Sequence, residues 1–115
     1  MIRCIVAGGR DFNNYDLLKS KLDIILSSCN DIEIVSGGCT GADRLGELYA
    51  SEHNIPVKVF SANWALGKAA GPIRNRQMAE YATHSVIFWD GRSRGSKNMI
   101  DLSREYNLKN RIIYY

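Results

Sequence analysis

Apolar positions along this chain keep two rhythms. Short runs dense in Val, Ile and aromatic residues occur at Arg3–Ala7, Glu33–Ser36, Val57–Phe60, Ser85–Trp89 and Arg111–Tyr115. The first and fourth are nearly continuous, which suits strands buried on both faces of a parallel sheet. Between the runs the apolar spacing lengthens to three and four residues. Leu17, Leu18, Leu22, Ile25 and Leu26 form one such stripe, Leu45, Leu48 and Tyr49 a second. Met78, Tyr81 and Ala82 mark a third, and Met99, Ile100, Ser103 and Tyr106 a fourth. Strand therefore alternates with amphipathic helix throughout. That pattern predicts the α/β class: a three-layer α/β/α domain around a mainly parallel five-stranded sheet, with residues 1–115 as one unit. No repeat, low-complexity tract or linker interrupts it.

Start signals sharpen the helices. Thr40 with Asp43 three residues on resembles a capping box, Pro72 suits a first helical turn, and Ser96 is placed to cap the fourth helix. Glycine supplies the strongest functional signal. Gly8/Gly9, Gly37/Gly38/Gly41 and Gly91/Gly95 follow the first, second and fourth predicted strands. In a parallel sheet these loops share the carboxyl edge, where open α/β sheets bind ligands. Glycine lets backbone N–H groups approach a ligand, and helix N-termini add a partial positive charge suited to phosphate.

Composition narrows the class. With 115 residues, 45% hydrophobic and 23% charged, the chain has the makeup of one globular domain. No apolar run reaches the length needed to cross a bilayer, and Met1–Ala7 is too short for a signal-peptide core, so a cytoplasmic protein without membrane association is expected. Cys4, Cys29 and Cys39 are an odd number without a C-x-x-C pair, and His53 and His84 stand alone. Neither a disulfide scaffold nor a metal site is expected, nor a resident cofactor; Cys39, in a glycine-rich loop, is the thiol nearest any candidate site. The net charge is +3, and it is uneven: from Ser61 to Asn98 six basic residues face Glu80 and Asp90, an excess of four, while the remainder sums to −1. An anionic partner, nucleotide-like or nucleic acid, fits that concentration.

Two familiar phosphate loops are absent. Gly67-Lys68-Ala69 lacks the Ser/Thr after Lys and the earlier Gly of a P-loop, and Gly8-Gly9-Arg10-Asp11 is not G-x-G-x-x-G. Four other stretches carry a specific pattern: Ala7–Phe12, Ile34–Asp43, Gly67–Met78 and Gly91–Met99. In this order they resemble the YspA-like branch of the SLOG superfamily, a Rossmann-like group that includes the Smf/DprA and Lonely-guy (LOG) families. The resemblance implies a Rossmann-like fold and a site for nucleotides or nucleotide-derived molecules.

The residues it draws together have matching chemistry. Ser36, Gly37, Gly38 and Thr40 offer backbone and hydroxyl donors, as do Gly95 and Ser96 at the fourth helix. Arg74 can form a forked pair with phosphate, with Asn75 beside it, and Lys68 adds charge. Asp43 can bind ribose hydroxyls or cap its helix. Gly8 and Gly9 leave room for Arg10 and Asp11 to line the floor, or to pair with each other. Trp64 can stack on a base or cover the end of the sheet.

The resemblance also separates three functions. LOG enzymes cleave the N-glycosidic bond of nucleoside monophosphates with an Arg in a motif similar to Arg74–Met78 and a Glu three residues after a Gly-Thr. Gly95-Ser96 resembles that Gly-Thr, which puts Met99 where the Glu would fall. A thioether is neither acid nor base, so the expectation leans away from an enzyme, although Asp11, Asp43 or Asp90 could substitute. Likeness to DprA points instead to single-stranded DNA, but accessory domains and an aromatic stacking series are missing. The expected function is binding, by sensing or sequestration, of a small nucleotide-derived ligand such as an ADP-ribose- or NAD-related molecule or a cyclic nucleotide signal. A phosphoribohydrolase and a single-stranded DNA binder are the alternatives. A homo-oligomer is also expected, with Ile112–Tyr115 as either an interface or a buried last strand.

Overall fold

Strand and helix alternate as those rhythms require, and the computed structural model describes residues 1–115 without a gap. The order is β1 (Ile2–Gly8), α1 (Tyr15–Ile25), β2 (Ile32–Ser36), α2 (Ala42–Glu52), β3 (Val57–Val59), a 3₁₀ segment (Trp64–Ala69), α3 (Ala70–Tyr81), β4 (His84–Trp89), α4 (Arg94–Glu105) and β5 (Lys109–Tyr114). The strands lie in the order β3-β2-β1-β4-β5. Every pairing is parallel, so the sheet is wholly rather than mainly parallel. No helix is long and apolar enough to cross a membrane.

Period-two alternation divides the sheet's side chains between two cores. Cys4, Val6, Ile34, Val86 and Phe88 face α1 and α2, where Leu18, Leu22, Tyr49 and Ala50 meet them. Ile5, Ala7, Val35 and Ile87 face α3 and α4, where Met78, Ala79, Met99 and Ile100 close the other side. The three central strands are thus covered on both faces, which is why their sequences read as apolar runs. At the edges, Ile112 and Ile113 of β5 pack partly into opposite cores while Tyr114 remains exposed.

Several local expectations change. β3 is only Val57–Val59, and both valines are exposed, because an edge strand beyond the reach of the helices needs no covered face. β5 begins two residues before Arg111, at Lys109, since pairing with His84 extends the ladder past the apolar run. Leu48 belongs to the α2 periodicity but is exposed; Gly46 takes the inward place, because a Cβ there would press on Val6. The capping box at Thr40 does not form. α2 starts at Ala42 with Gly41 as its cap, at φ +77°, and Asp43 turns back to accept from the Cys39 N–H at 3.2 Å. Only glycine fits at position 41, where a Cβ would overlap the Gly9 carbonyl oxygen. α4 is capped by Ser93, whose Oγ accepts from the Ser96 N–H at 3.5 Å, so Ser96 lies inside the first turn rather than at the cap.

Candidate functional site

Strand order positions the site. From β1 the chain winds to β2 and β3 on one side, and β4 and β5 lie on the other, so the direction of winding reverses between β1 and β4. Loops leaving the carboxyl ends of those two strands diverge and leave a crevice, the usual ligand position in open α/β sheets. A cavity of about 400 Å³ occupies it. Its floor is Ala7, Gly8 and Gly9, where β1 ends. Arg10 and Asp11 form one rim, Asp90, Ser93, Gly95 and Ser96 form the opposite one, and Arg74, Asn75 and Met78 of α3 close the back.

Arg74 is the principal charge. It is buried, forms no salt bridge, and is held by its surroundings in one pose. Nε donates to Asn75 Oδ1 at 2.9 Å, and Nη1 donates to the Gly37 carbonyl at 2.7 Å and approaches Cys39 Sγ at 3.7 Å. Nη2 has no hydrogen-bond partner within the chain. Asn75 in turn donates to Asn98 Oδ1 at 2.9 Å, tying α3 to α4. A Cβ on Gly37 would sit 2.8 Å from Asp43 Oδ2 and 3.0 Å from Arg74 Nη1, so the glycine admits both side chains against its backbone.

Three carboxylates share the cavity under different conditions. Burial pushes Asp43 up to about 6, against the Cys39 N–H hydrogen bond and the charges of Arg74 and Arg10, with Glu47 adding a smaller upward push. Asp90 is held below the ordinary range, because Oδ1 accepts from the Ser93 and Arg92 N–H groups at 2.8 Å each. Asp11 accepts from the Tyr115 hydroxyl at 2.9 Å, and burial followed by that bond raises Tyr115 to about 12. Tyr115 lies against Gly9, where a Cβ would overlap its hydroxyl.

Ser96 is the anomaly. Its residue is 5% exposed and its Oγ is the one buried side-chain polar atom without a hydrogen-bond partner. Ser103, later in the same helix, donates to the Met99 carbonyl four residues back at 2.8 Å. Ser96 has no such recourse: its carbonyl four residues back belongs to Arg92, outside the helix. The residue lines the cavity at a helix N-terminus.

Of the residues singled out from sequence, Gly8, Gly9, Arg10, Asp11, Asp43, Arg74, Asn75, Gly95 and Ser96 line this cavity. Six do not. Ser36 is fully buried, donating to Glu47 at 2.6 Å and accepting from the Gly38 N–H at 3.1 Å. Gly37 and Gly38 stand behind the wall, one receiving Arg74, the other packed beside Val59. Thr40 is exposed and donates to the Arg10 carbonyl at 3.4 Å. Lys68 is exposed on the 3₁₀ segment. Trp64 is exposed beside the rim, with the Arg10 guanidinium 5.6 Å from its ring centroid. Arg10 and Asp11 do not pair with each other; their partners are Trp64 and Tyr115.

Cys39, Asp90, Ser93, Met78 and Met99 join the lining without having been chosen as ligand contacts. Asp90 and Ser93 had a readable signal, since an Asp directly after a strand and a Ser three residues later mark a loop and cap at the carboxyl edge. Met99, in the place of the LOG glutamate, is 1% exposed and forms apolar wall. No cluster of His, Cys, Asp and Glu side chains is arranged to hold a metal ion.

A sequence model of the YspA, cpYpsA-related SLOG family matches residues 2–67. The match is more than half of the chain and carries both glycine loops that bracket Arg10 and Asp43; Arg74 and Ser96 follow it. No curated protein and no solved structure matches the chain.

Proposed function

Because the chain belongs to the YspA, cpYpsA-related SLOG family, we propose that it binds a small nucleotide-derived ligand in the β1/β4 crevice, as a sensor or a sequestering protein. The observation that carries this reading is a buried cation beside a buried, unpaired hydroxyl. Arg74, buried without an ion pair, and Ser96, whose buried hydroxyl has no partner, line one cavity. A buried donor left unpaired costs about 1–3 kcal/mol. A phosphate supplies acceptors for both, with the α4 dipole favouring its charge. Asp11 and Asp43 are acceptors suited to ribose hydroxyls. ADP-ribose- or NAD-related molecules and cyclic nucleotides combine these groups.

One observation favours a second reading, nucleotide N-glycoside hydrolysis. Asp43, at about 6, is a buried acid able to exchange a proton near neutrality, although Met99 leaves the carboxylate position of the LOG pattern empty of charge. Incubating the protein with a mixed nucleotide panel separates the two. Mass spectrometry of the free pool and of heat-released material recovers an intact compound from a binder. It finds base and sugar phosphate from a hydrolase. A panel left wholly unchanged and unbound refutes both.

A further inference from the structure

Trp64 packs against no other aromatic ring, unlike the exposed Tyr114, which meets Trp89, and Tyr115, which meets Phe12. Trp64 is 57% exposed and belongs to neither core. Trp89 shows the ordinary alternative: its Nε1 donates to the Ser93 carbonyl at 3.1 Å, and its ring packs against Tyr114. Trp64 Nε1 makes no hydrogen bond. The one group laid on its ring is the guanidinium of Arg10, which has no ion pair and which also forms the rim of the cavity.

The surroundings fix the backbone that carries this indole. The chain leaves β3 at the sheet's carboxyl edge, and Asn63 caps the 3₁₀ segment by accepting from the Ala65 N–H at 3.2 Å. On the opposite side, Arg10 is anchored through its backbone, which abuts Gly41 and accepts from Thr40. The guanidinium thus covers part of the indole at the cavity rim, and the rest of the ring stays exposed outside it.

The geometry points to a stacking subsite for a planar heteroaromatic ring on Trp64 and Arg10, reached by a ligand whose phosphate and sugar lie in the crevice. This rests on the nucleotide reading above and adds to it: the ligand keeps its base, and the base is gripped by its π-face rather than by hydrogen bonds to its edge. A π-face is common to all bases, so discrimination among them at this subsite is weak.

Calorimetric titration of the full chain with AMP and with ribose 5-phosphate tests the subsite, because the two probes differ only in the base. Stacking makes AMP bind roughly 5- to 100-fold more tightly. Trp64→Ala abolishes that preference and leaves ribose 5-phosphate affinity unchanged, while Trp64→Phe retains most of it. Trp64→Ala that keeps the AMP preference overturns the subsite while the nucleotide reading stands. Equal loss for both probes in Trp64→Ala also overturns it, since the residue then acts on the crevice as a whole. Absence of binding by either probe to the unmodified chain overturns the subsite, while the nucleotide reading is decided by the mixed panel.

Discussion

Ser96→Ala separates a binding role from a structural one by sign. In the chain alone Oγ is buried with no partner, and carrying such a hydroxyl out of water costs roughly 1–3 kcal/mol. Alanine removes that penalty and adds a few tenths of a kcal/mol of helix propensity. The Ser93 cap is untouched, because it uses the Ser96 backbone N–H. The net expectation is stabilisation by about 1–2 kcal/mol, a rise in Tm of roughly 4–8 °C for a domain this size. Ligand binding moves the other way: a lost hydrogen bond to a charged phosphate weakens it by roughly 10- to 100-fold. Differential scanning calorimetry of both proteins, with and without ligand, reads both effects. Ser96→Ala that lowers Tm in the absence of ligand would falsify the argument, because the hydroxyl would then be satisfied without any ligand.

Arg74→Lys keeps the charge but loses the fork that spans Asn75 and Gly37; ligand affinity should fall at least about tenfold, and an effect within twofold by titration argues against phosphate contact. Asp43 has a folded pKa of about 6 against a reference of 3.8, so the native state holds this proton more tightly than the unfolded chain. Its contribution is therefore greatest below about pH 4 and is lost as pH rises through 6, by on the order of 2–3 kcal/mol. Denaturant midpoints of the unmodified chain should fall over that window relative to Asp43→Asn; parallel curves for the two would contradict the burial argument. Gly41→Ala should cost about 3 kcal/mol or more, since it combines positive φ with overlap of the Gly9 carbonyl. Gly95→Ala, in open space on the first turn of α4, should instead gain about 0.5–1 kcal/mol. Urea titration with an unchanged m-value checks both, and similar losses at the two positions would show that the backbone argument fails.

What the sequence determines here is local. Whether a segment alternates with a period of two or of three to four depends on neighbours a few residues away. The five strands, the four helices and the shared carboxyl edge of the glycine loops were therefore legible. Arg74 and Ser96 could be picked out for the same reason, as an Arg and a Ser near helix starts beside that edge.

Tertiary structure decided which of those loops form the cavity. All three glycine groups look alike in sequence, yet only the loops after β1 and β4 flank the point where winding reverses, and the Gly37-Gly38 turn ends one strand away as a brace for Arg74. Non-local partners settle the remaining roles. Gly9 is small because Tyr115, more than a hundred positions on, lies against it, and the largely exposed Trp64 meets Arg10, more than fifty positions before it. Such pairings depend on strand order, which follows from how two cores are filled at once, and no short-range pattern along the chain carries that information.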